Sequence, residues 1–143
     1  MAHYTPARLY ATVIGAVLVV AGILGFFYNS QFTDNPAVRD DVLGILSVNG
    51  WHNVVHIVTG LLGLLAVGYA ARAYALGLGV VYIAVAIWGF ILSGSDPSIL
   101  DVVPVNTADN VLHLALGVLG VGAGLATRTE TQPGPRRPAA TAR

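Results

Sequence analysis

Two histidines, His56 and His113, are the side chains of this sequence best suited to chemistry. Each lies in the pattern Asn-x-x-x-Asn-x-x-His-x-x-x-Gly-x-x-Gly, and the second copy follows the first at an offset of 57, from position 56 to position 113. The marked residues recur at intervals of four, three, four and three positions, which is the spacing of one stripe along an α-helix. The sequence therefore predicts two helices that each present amides, an imidazole and glycines along one face.

The shared stripe divides into three kinds of position. Asn is a preferred helix N-cap, so the first residue of each copy is interpreted as a cap, namely Asn49 and Asn106. Imidazole and amide groups that faced lipid would lack partners, so we expect an inward-facing intramembrane polar cluster of Asn53, His56, Asn110 and His113. Small residues let membrane helices approach closely, so we assign helix packing to Gly60, Gly63, Gly117 and Gly120.

A divalent metal ion is one candidate ligand of this stripe. His52 lies four positions before His56, and the aligned pair in the second copy is Asp109 and His113. Three imidazoles and one carboxylate form a donor set that suits Zn²⁺ or a related ion. The candidate metal ligands are therefore His52, His56, Asp109 and His113.

Haem is the second candidate cofactor, held by His56 and His113 with Gly60 and Gly117 providing clearance. The alternative without a cofactor is that each imidazole hydrogen-bonds within the bundle and fixes the register of the helices. That alternative is a structural or interaction role, and it is the first interpretation of the pattern; a cofactor- or metal-binding protein is the second.

Other functional classes find less support in the sequence. Transporter sites usually show a charged residue deep in a span or a broken helix, and neither feature occurs here, so a small transporter is a weaker hypothesis. No Ser or Asp stands beside either histidine at the spacing of a hydrolase triad, so no catalytic residue is assigned and an enzyme is disfavoured. The net charge of zero gives no indication of nucleic-acid binding, and the absence of cysteine excludes disulfides and thiolate metal sites.

The elements that carry these residues are predicted to be membrane spans. Hydrophobic residues make up 55% of the 143 positions and charged residues only 10%, against roughly 25% in an average soluble domain. Uncharged runs indicate spans at about 9–28, 51–71, 74–93 and 109–126, each close to the ~20 residues that cross a bilayer. We predict an all-α membrane protein whose four transmembrane helices lie within residues 1–127.

An internal repeat organises these spans. The second and fourth carry the histidine motifs, while the first and third align at an offset of 64, from Gly15 to Gly79 and from Gly25 to Gly89. The chain therefore reads as two tandem helix hairpins. Each hairpin crosses the membrane twice, so a pseudo-two-fold axis along the membrane normal is expected to relate them.

The arginine distribution predicts the orientation. Six of the seven arginines fall on the side of the termini, and six of the seven acidic residues fall on the other. The positive-inside rule then places both termini in the cytoplasm of a multi-pass plasma-membrane protein. Residues 128–143 lack apolar side chains able to pack and are predicted to form a disordered cytoplasmic tail. The lipid bilayer is the expected surrounding, no protein partner is indicated, and homo-oligomerisation stays open.

The doubled motif resembles that of a family of small bacterial four-helix membrane proteins of unknown function. Val48-Asn49 precedes the first copy and Val105-Asn106 precedes the second, and each is followed by Asn-x-x-His-x-x-x-Gly-x-x-Gly. The similarity covers about residues 6–127. The resemblance implies a four-span plasma-membrane protein and implies no activity, ligand or catalytic residue.

Overall fold

The computed structural model describes residues 4–35, 37–92 and 97–128. Within them the chain forms four helices and two short antiparallel β-hairpins. In chain order the elements are α1 (Pro6–Gly25), β1 (Asp40–Val42), β2 (Leu46–Val48), α2 (Gly50–Ala66), α3 (Ala71–Ile91), β3 (Ser98–Ile99), β4 (Val103–Pro104) and α4 (Thr107–Ala126). The prediction of a mainly helical chain with four helices is confirmed.

Local capping chemistry sets where three of the helices begin. The Thr5 side chain accepts a hydrogen bond from the Arg8 amide, and Pro6 occupies the first turn of α1, where its missing N–H costs nothing. Asn49 caps α2 by accepting from the His52 amide. Asn106 caps α4 by accepting from the Asp109 amide. The Asn106 backbone amide in turn donates a hydrogen bond to the Asp109 carboxylate.

The helix bounds differ from the predicted spans at several ends. Helix α1 begins and ends about three residues earlier than expected, because its cap lies at Thr5. Helix α2 ends at Ala66 rather than 71, and residues 67–70 turn the chain into α3. The predicted tail lies outside the described residues, except for Arg128.

The two β-hairpins were not predicted from the sequence. Strand β1 pairs with β2, and β3 pairs with β4. Their tips contain Leu43, Leu100 and Asp101 at positive φ, together with Gly44. Leucine is rare in that left-handed conformation, so the turn signal that glycine or asparagine usually gives is weak here.

The four helices pack as two pairs. Helix α1 packs most extensively on α2 (the first helix pair), and α3 packs most extensively on α4 (the second helix pair). Glycines make both contacts close: a Cβ added at Gly60 would lie 2.6 Å from the carbonyl oxygen of Gly15, and one at Gly117 would lie 2.8 Å from that of Gly79. The buried core where the pairs meet is built from alanine, leucine and tyrosine of α1 and α3.

The outer surfaces of the helices are apolar. Large side chains are exposed along α1 at Val13, Val17 and Val20, and along α4 at Val118 and Leu119. Three helices, α1, α3 and α4, are long and apolar enough to cross a membrane, whereas α2 has 17 residues. An apolar surface of this extent is the expected lipid-facing surface of a membrane-embedded chain.

Candidate functional site

Three imidazoles from two helices converge near one end of the bundle. His52 and His56 lie one turn apart on α2, and His113 faces them from α4. The ring centroids of His52 and His56 are 4.4 Å apart, and that of His113 lies 6.1 and 6.3 Å from them, respectively. One nitrogen of each ring can be chosen so that all three lie within 4.8 Å of one another. We call these three residues the histidine cluster.

His52 and His113 of the histidine cluster are buried, His56 is partly exposed, and the cluster is incompletely hydrogen-bonded. His52 is 2% exposed and His113 is 6% exposed. The Nδ1 atoms of both rings are buried without a hydrogen-bond partner among the described residues. Buried polar atoms are nearly always paired in proteins, so two unpaired ring nitrogens in one cluster call for an explanation such as a bound ion.

The two β-hairpins cover the cluster from the end of the bundle. The ring of His52 approaches the backbone of Ser47 in β2 and of Pro104 in β4. The caps reinforce this cover by reaching across it: the Asn49 amide donates to the carbonyl of Val102 at 2.8 Å, and the Asn106 amide donates to that of Ile45 at 2.7 Å. The cap of α2 therefore contacts the β3–β4 hairpin, and the cap of α4 contacts the β1–β2 hairpin.

Asp109 lies outside the group of potential metal ligands, contrary to the four-ligand set expected from the sequence. Its Oδ2 atom accepts from the backbone amides of Ser47 at 3.0 Å and Asn106 at 2.9 Å. The carboxylate is thus occupied by a helix cap and by strand β2. The alignment with His52 places the two residues at equivalent positions in sequence, but their side chains serve different partners.

The two asparagines of the predicted polar cluster contact glycines rather than imidazoles. The Asn53 amide donates to the carbonyl of Asn29 at 2.8 Å. An added Cβ at Gly25 would collide with the Asn53 amide oxygen, and one at Gly89 would collide with that of Asn110. The side chains of Asn53 and Asn110 therefore join α2 to α1 and α4 to α3, and the expected asparagine–histidine hydrogen bond is not among the observed contacts of Asn53.

Neighbouring helices occupy the space beside each of the four motif glycines. The contacts of Gly60 with Gly15 and of Gly117 with Gly79 are described above. An added Cβ at Gly63 would lie 2.5 Å from the Tyr74 ring, and one at Gly120 would lie 2.8 Å from the Tyr10 ring. The clearance that a haem held by His56 and His113 would require at Gly60 and Gly117 is occupied by α1 and α3.

Three tyrosines belong to the surroundings of the site and were not assigned to it from the sequence: Tyr10 and Tyr82 are buried, and Tyr74 is partly buried. The Tyr82 ring lies 4.9 Å from that of His113, and its hydroxyl is buried near Thr59 without a hydrogen-bond partner among the described residues. The Tyr10 hydroxyl donates to the carbonyl of Leu116 at 3.0 Å, and that of Tyr74 donates to the carbonyl of Thr59 at 3.1 Å. The sequence indicates that one of them is unusual: at the offset of 64 that aligns the first and third spans, Tyr82 falls opposite Leu18.

Comparison with known families gives one match, which covers all four helices. The family model described as a domain of unknown function, DUF4383, matches residues 8–126. The chain belongs to the DUF4383 family. The predicted membership of an uncharacterised family is thereby confirmed. No curated protein and no solved structure matches the chain.

Proposed function

We propose that this DUF4383 protein is an integral membrane protein that binds one divalent transition-metal ion through His52, His56 and His113. The observation that carries the proposal is the convergence of three imidazole nitrogens within 4.8 Å. Imidazole is a preferred ligand of Zn²⁺, Cu²⁺ and Ni²⁺. At metal–nitrogen distances of about 2.0–2.1 Å, tetrahedral ligand nitrogens lie roughly 3.3–3.5 Å apart, so a small rotation of the side chains completes the site.

The unpaired ring nitrogens favour a metal ion over packing alone. A neutral imidazole has one donor and one acceptor nitrogen. In a purely structural cluster, the buried Nδ1 atoms of His52 and His113 would remain unpaired, which costs about 1–3 kcal/mol for each group. A bound cation would use such lone pairs and remove that cost.

The arrangement favours a small ion over haem as the occupant. A porphyrin needs a flat slot between its two axial histidines, whereas Gly60 and Gly117 are in close contact with the backbones of α1 and α3. The third imidazole, that of His52, lies within 4.4 Å of His56, measured between ring centroids. A compact ion suits three convergent imidazoles, and a macrocycle does not.

We further propose that the chain spans the bacterial plasma membrane four times and that its two helix pairs are related by a pseudo-two-fold axis. Equivalent contacts support this symmetry. Tyr10 of α1 bonds to α4, as Tyr74 of α3 bonds to α2. Asn49 and Asn106 likewise reach Val102 and Ile45, at positions separated by the same offset of 57.

Metal content and affinity of the purified chain test the proposed function. The full-length protein, purified in detergent through a tag without histidine, is stripped with a chelator, incubated with Zn²⁺ and freed of excess ion. We expect one Zn²⁺ per chain by elemental analysis. Alanine at His52, His56 or His113 is expected to weaken Zn²⁺ binding at least about tenfold, because each substitution removes a ligand.

A matched control and a rescue distinguish ligand loss from misfolding. His3→Ala removes an imidazole outside the proposed donor set and is expected to leave Zn²⁺ binding unchanged. His113→Gly is expected to recover Zn²⁺ binding when free imidazole is added. Failure of the unmodified chain to retain Zn²⁺, Cu²⁺ or Ni²⁺, or equal binding by all variants, would contradict the proposed site.

A further inference from the structure

We infer that the metal ion held by the histidine cluster keeps an exchangeable fourth coordination position, which binds a small inorganic anion such as hydroxide or azide. This inference rests on the proposed metal site and specifies the chemistry of that site. Three histidine ligands with one open position form the donor set of catalytic zinc sites, whereas structural zinc sites are closed by four protein ligands. An open position therefore requires that no fourth side chain of this protein binds the ion.

The carboxylate nearest in sequence to the site is already committed. Asp109 is 3% exposed, and its Oδ2 atom accepts two backbone hydrogen bonds, from Ser47 and Asn106. Withdrawing it toward a metal ion would leave two amide donors without their acceptor and would break the reciprocal bond of the α4 capping box. Each of these losses is unfavourable at a buried helix start.

Two other polar side chains lie near the cluster. The Tyr82 ring packs against His113, and its hydroxyl is buried near Thr59 of α2 without a hydrogen-bond partner among the described residues. The Asn53 amide donates to Asn29, and its oxygen lies against Gly25 of α1. Among the histidines and carboxylates that the structure describes, His52, His56 and His113 are the only residues grouped closely enough to hold a metal ion together. The fourth position therefore falls to an exogenous ligand.

Size and charge define the class of that ligand. The Tyr82 ring and the backbone of both β-hairpins border the cluster, and His52 and His113 are buried, which favours a small ligand. Three neutral imidazoles leave the two positive charges of a divalent ion uncompensated, which favours an anion in a poorly hydrated site. A monodentate inorganic anion satisfies both conditions.

Azide titration of the Co²⁺-loaded protein tests the open position. Co²⁺ replaces Zn²⁺ at such sites and reports its coordination through its visible absorption. We expect azide to change the spectrum saturably, with one azide bound per Co²⁺. Stoichiometric Co²⁺ with a spectrum that saturating azide leaves unchanged would overturn the open position but leave the metal site intact. Failure to bind Co²⁺ at all would overturn both.

Two variants test whether a protein ligand occupies the fourth position. Asp109→Asn retains an oxygen for the cap, and Tyr82→Phe retains the ring against His113. Both variants are expected to bind one Co²⁺ and to respond to azide as the unmodified chain does. A response that appears only after one of these substitutions would show that the removed group was the fourth ligand, and it would overturn the inference. Because Tyr82→Phe removes only a hydroxyl, it carries the test even if Asp109→Asn does not accumulate.

Discussion

At the scale of single residues, the site combines positions that follow the predicted repeat with positions that break it. His56 and His113 occupy equivalent places in the two motifs. His52 and Tyr82 do not: an offset of 57 aligns His52 with Asp109, and an offset of 64 aligns Tyr82 with Leu18. Both departures lie against the same imidazoles. The cluster therefore departs from the predicted repeat at His52 and at Tyr82, and the proposed three-ligand site shares this asymmetry.

A double-mutant cycle on the metal-free protein tests the coupling of His56 and His113. Their ring centroids are 6.3 Å apart, so their substitutions by alanine should not act independently. We expect each single variant to lower the free energy of unfolding and the double variant to cost less than the sum, by about 0.5–1.5 kcal/mol. Pairing His56→Ala with Leu125→Ala, which alters an exposed residue at the opposite end of α4, should be additive. Additivity in the histidine pair as well would indicate two independent packing residues.

At the scale of elements, close helix contact determines where the histidines sit. Gly60 lies one turn below His56, and Gly117 lies one turn below His113. Their contacts with α1 and α3 fix the depth and rotation of α2 and α4. The β-hairpins fix the same two helices at the other end, through Asn49 and Asn106. The cluster therefore lies between two constraints that leave its backbone little freedom.

Substitution of a motif glycine should reveal this constraint. A Cβ at Gly117 would lie 2.8 Å from the carbonyl oxygen of Gly79 and 2.9 Å from the Ile83 amide nitrogen, and neither backbone atom can move aside cheaply. We expect Gly117→Ala to lower the free energy of unfolding by about 1–3 kcal/mol. Gly122→Ala is the matched control, because it lies on the same helix with nothing within 4 Å of the added Cβ. It should be neutral or stabilising by up to about 1 kcal/mol, the difference in helix propensity. Equal destabilisation by both would contradict the contact.

The elements also show why only part of this arrangement was predictable. Long uncharged runs and asparagine caps signal helices directly, and four helices are observed. The β-hairpins escaped prediction because Leu43, Leu100 and Asp101 adopt positive φ, at turn positions that glycine or asparagine usually occupies, and only Gly44 gives that signal. The contact of Asp109 with Ser47 escaped for a different reason. Spacing along one helix aligned Asp109 with a histidine, but its partner Ser47 lies 62 residues away in sequence. A pattern along one helix cannot predict a backbone amide that tertiary folding brings to the Asp109 carboxylate.

At the scale of the whole molecule, the proposed metal ion would join the two helix pairs. His52 and His56 belong to the first pair and His113 to the second, whereas the protein contacts between the pairs are fewer than those within them. An ion that bridges the pairs binds the folded state far better than the unfolded chain. It therefore stabilises the fold by mass action, by about 2.7 kcal/mol at 100 times its dissociation constant. All three ligands come from one chain, so the site needs no second copy.

The orientation of the molecule decides which compartment supplies that ion, and cysteine labelling tests it. The chain contains no cysteine, so a single introduced cysteine is the one thiol that a maleimide can label. Asn35 and Asp101 are exposed on the side of the β-hairpins, and Gly68 is exposed in the turn between α2 and α3. Because six of the seven arginines are predicted from the sequence to lie on the side of Gly68, the positive-inside rule predicts a cytoplasmic position for that turn.

We therefore expect an impermeant maleimide to label Asn35→Cys and Asp101→Cys on intact spheroplasts and to label Gly68→Cys only after lysis. Ser98 is a poorer reporter on the same hairpin, because it is buried. The expected pattern would place the histidine cluster near the outer surface. At 1.5 Å per residue, the three histidines lie about 5–10 Å along α2 and α4 from the caps of these helices. The ion and its exchangeable anion would then come from outside the cell. The reverse labelling pattern would show that the site faces the cytoplasm, and it would contradict the orientation predicted by the positive-inside rule.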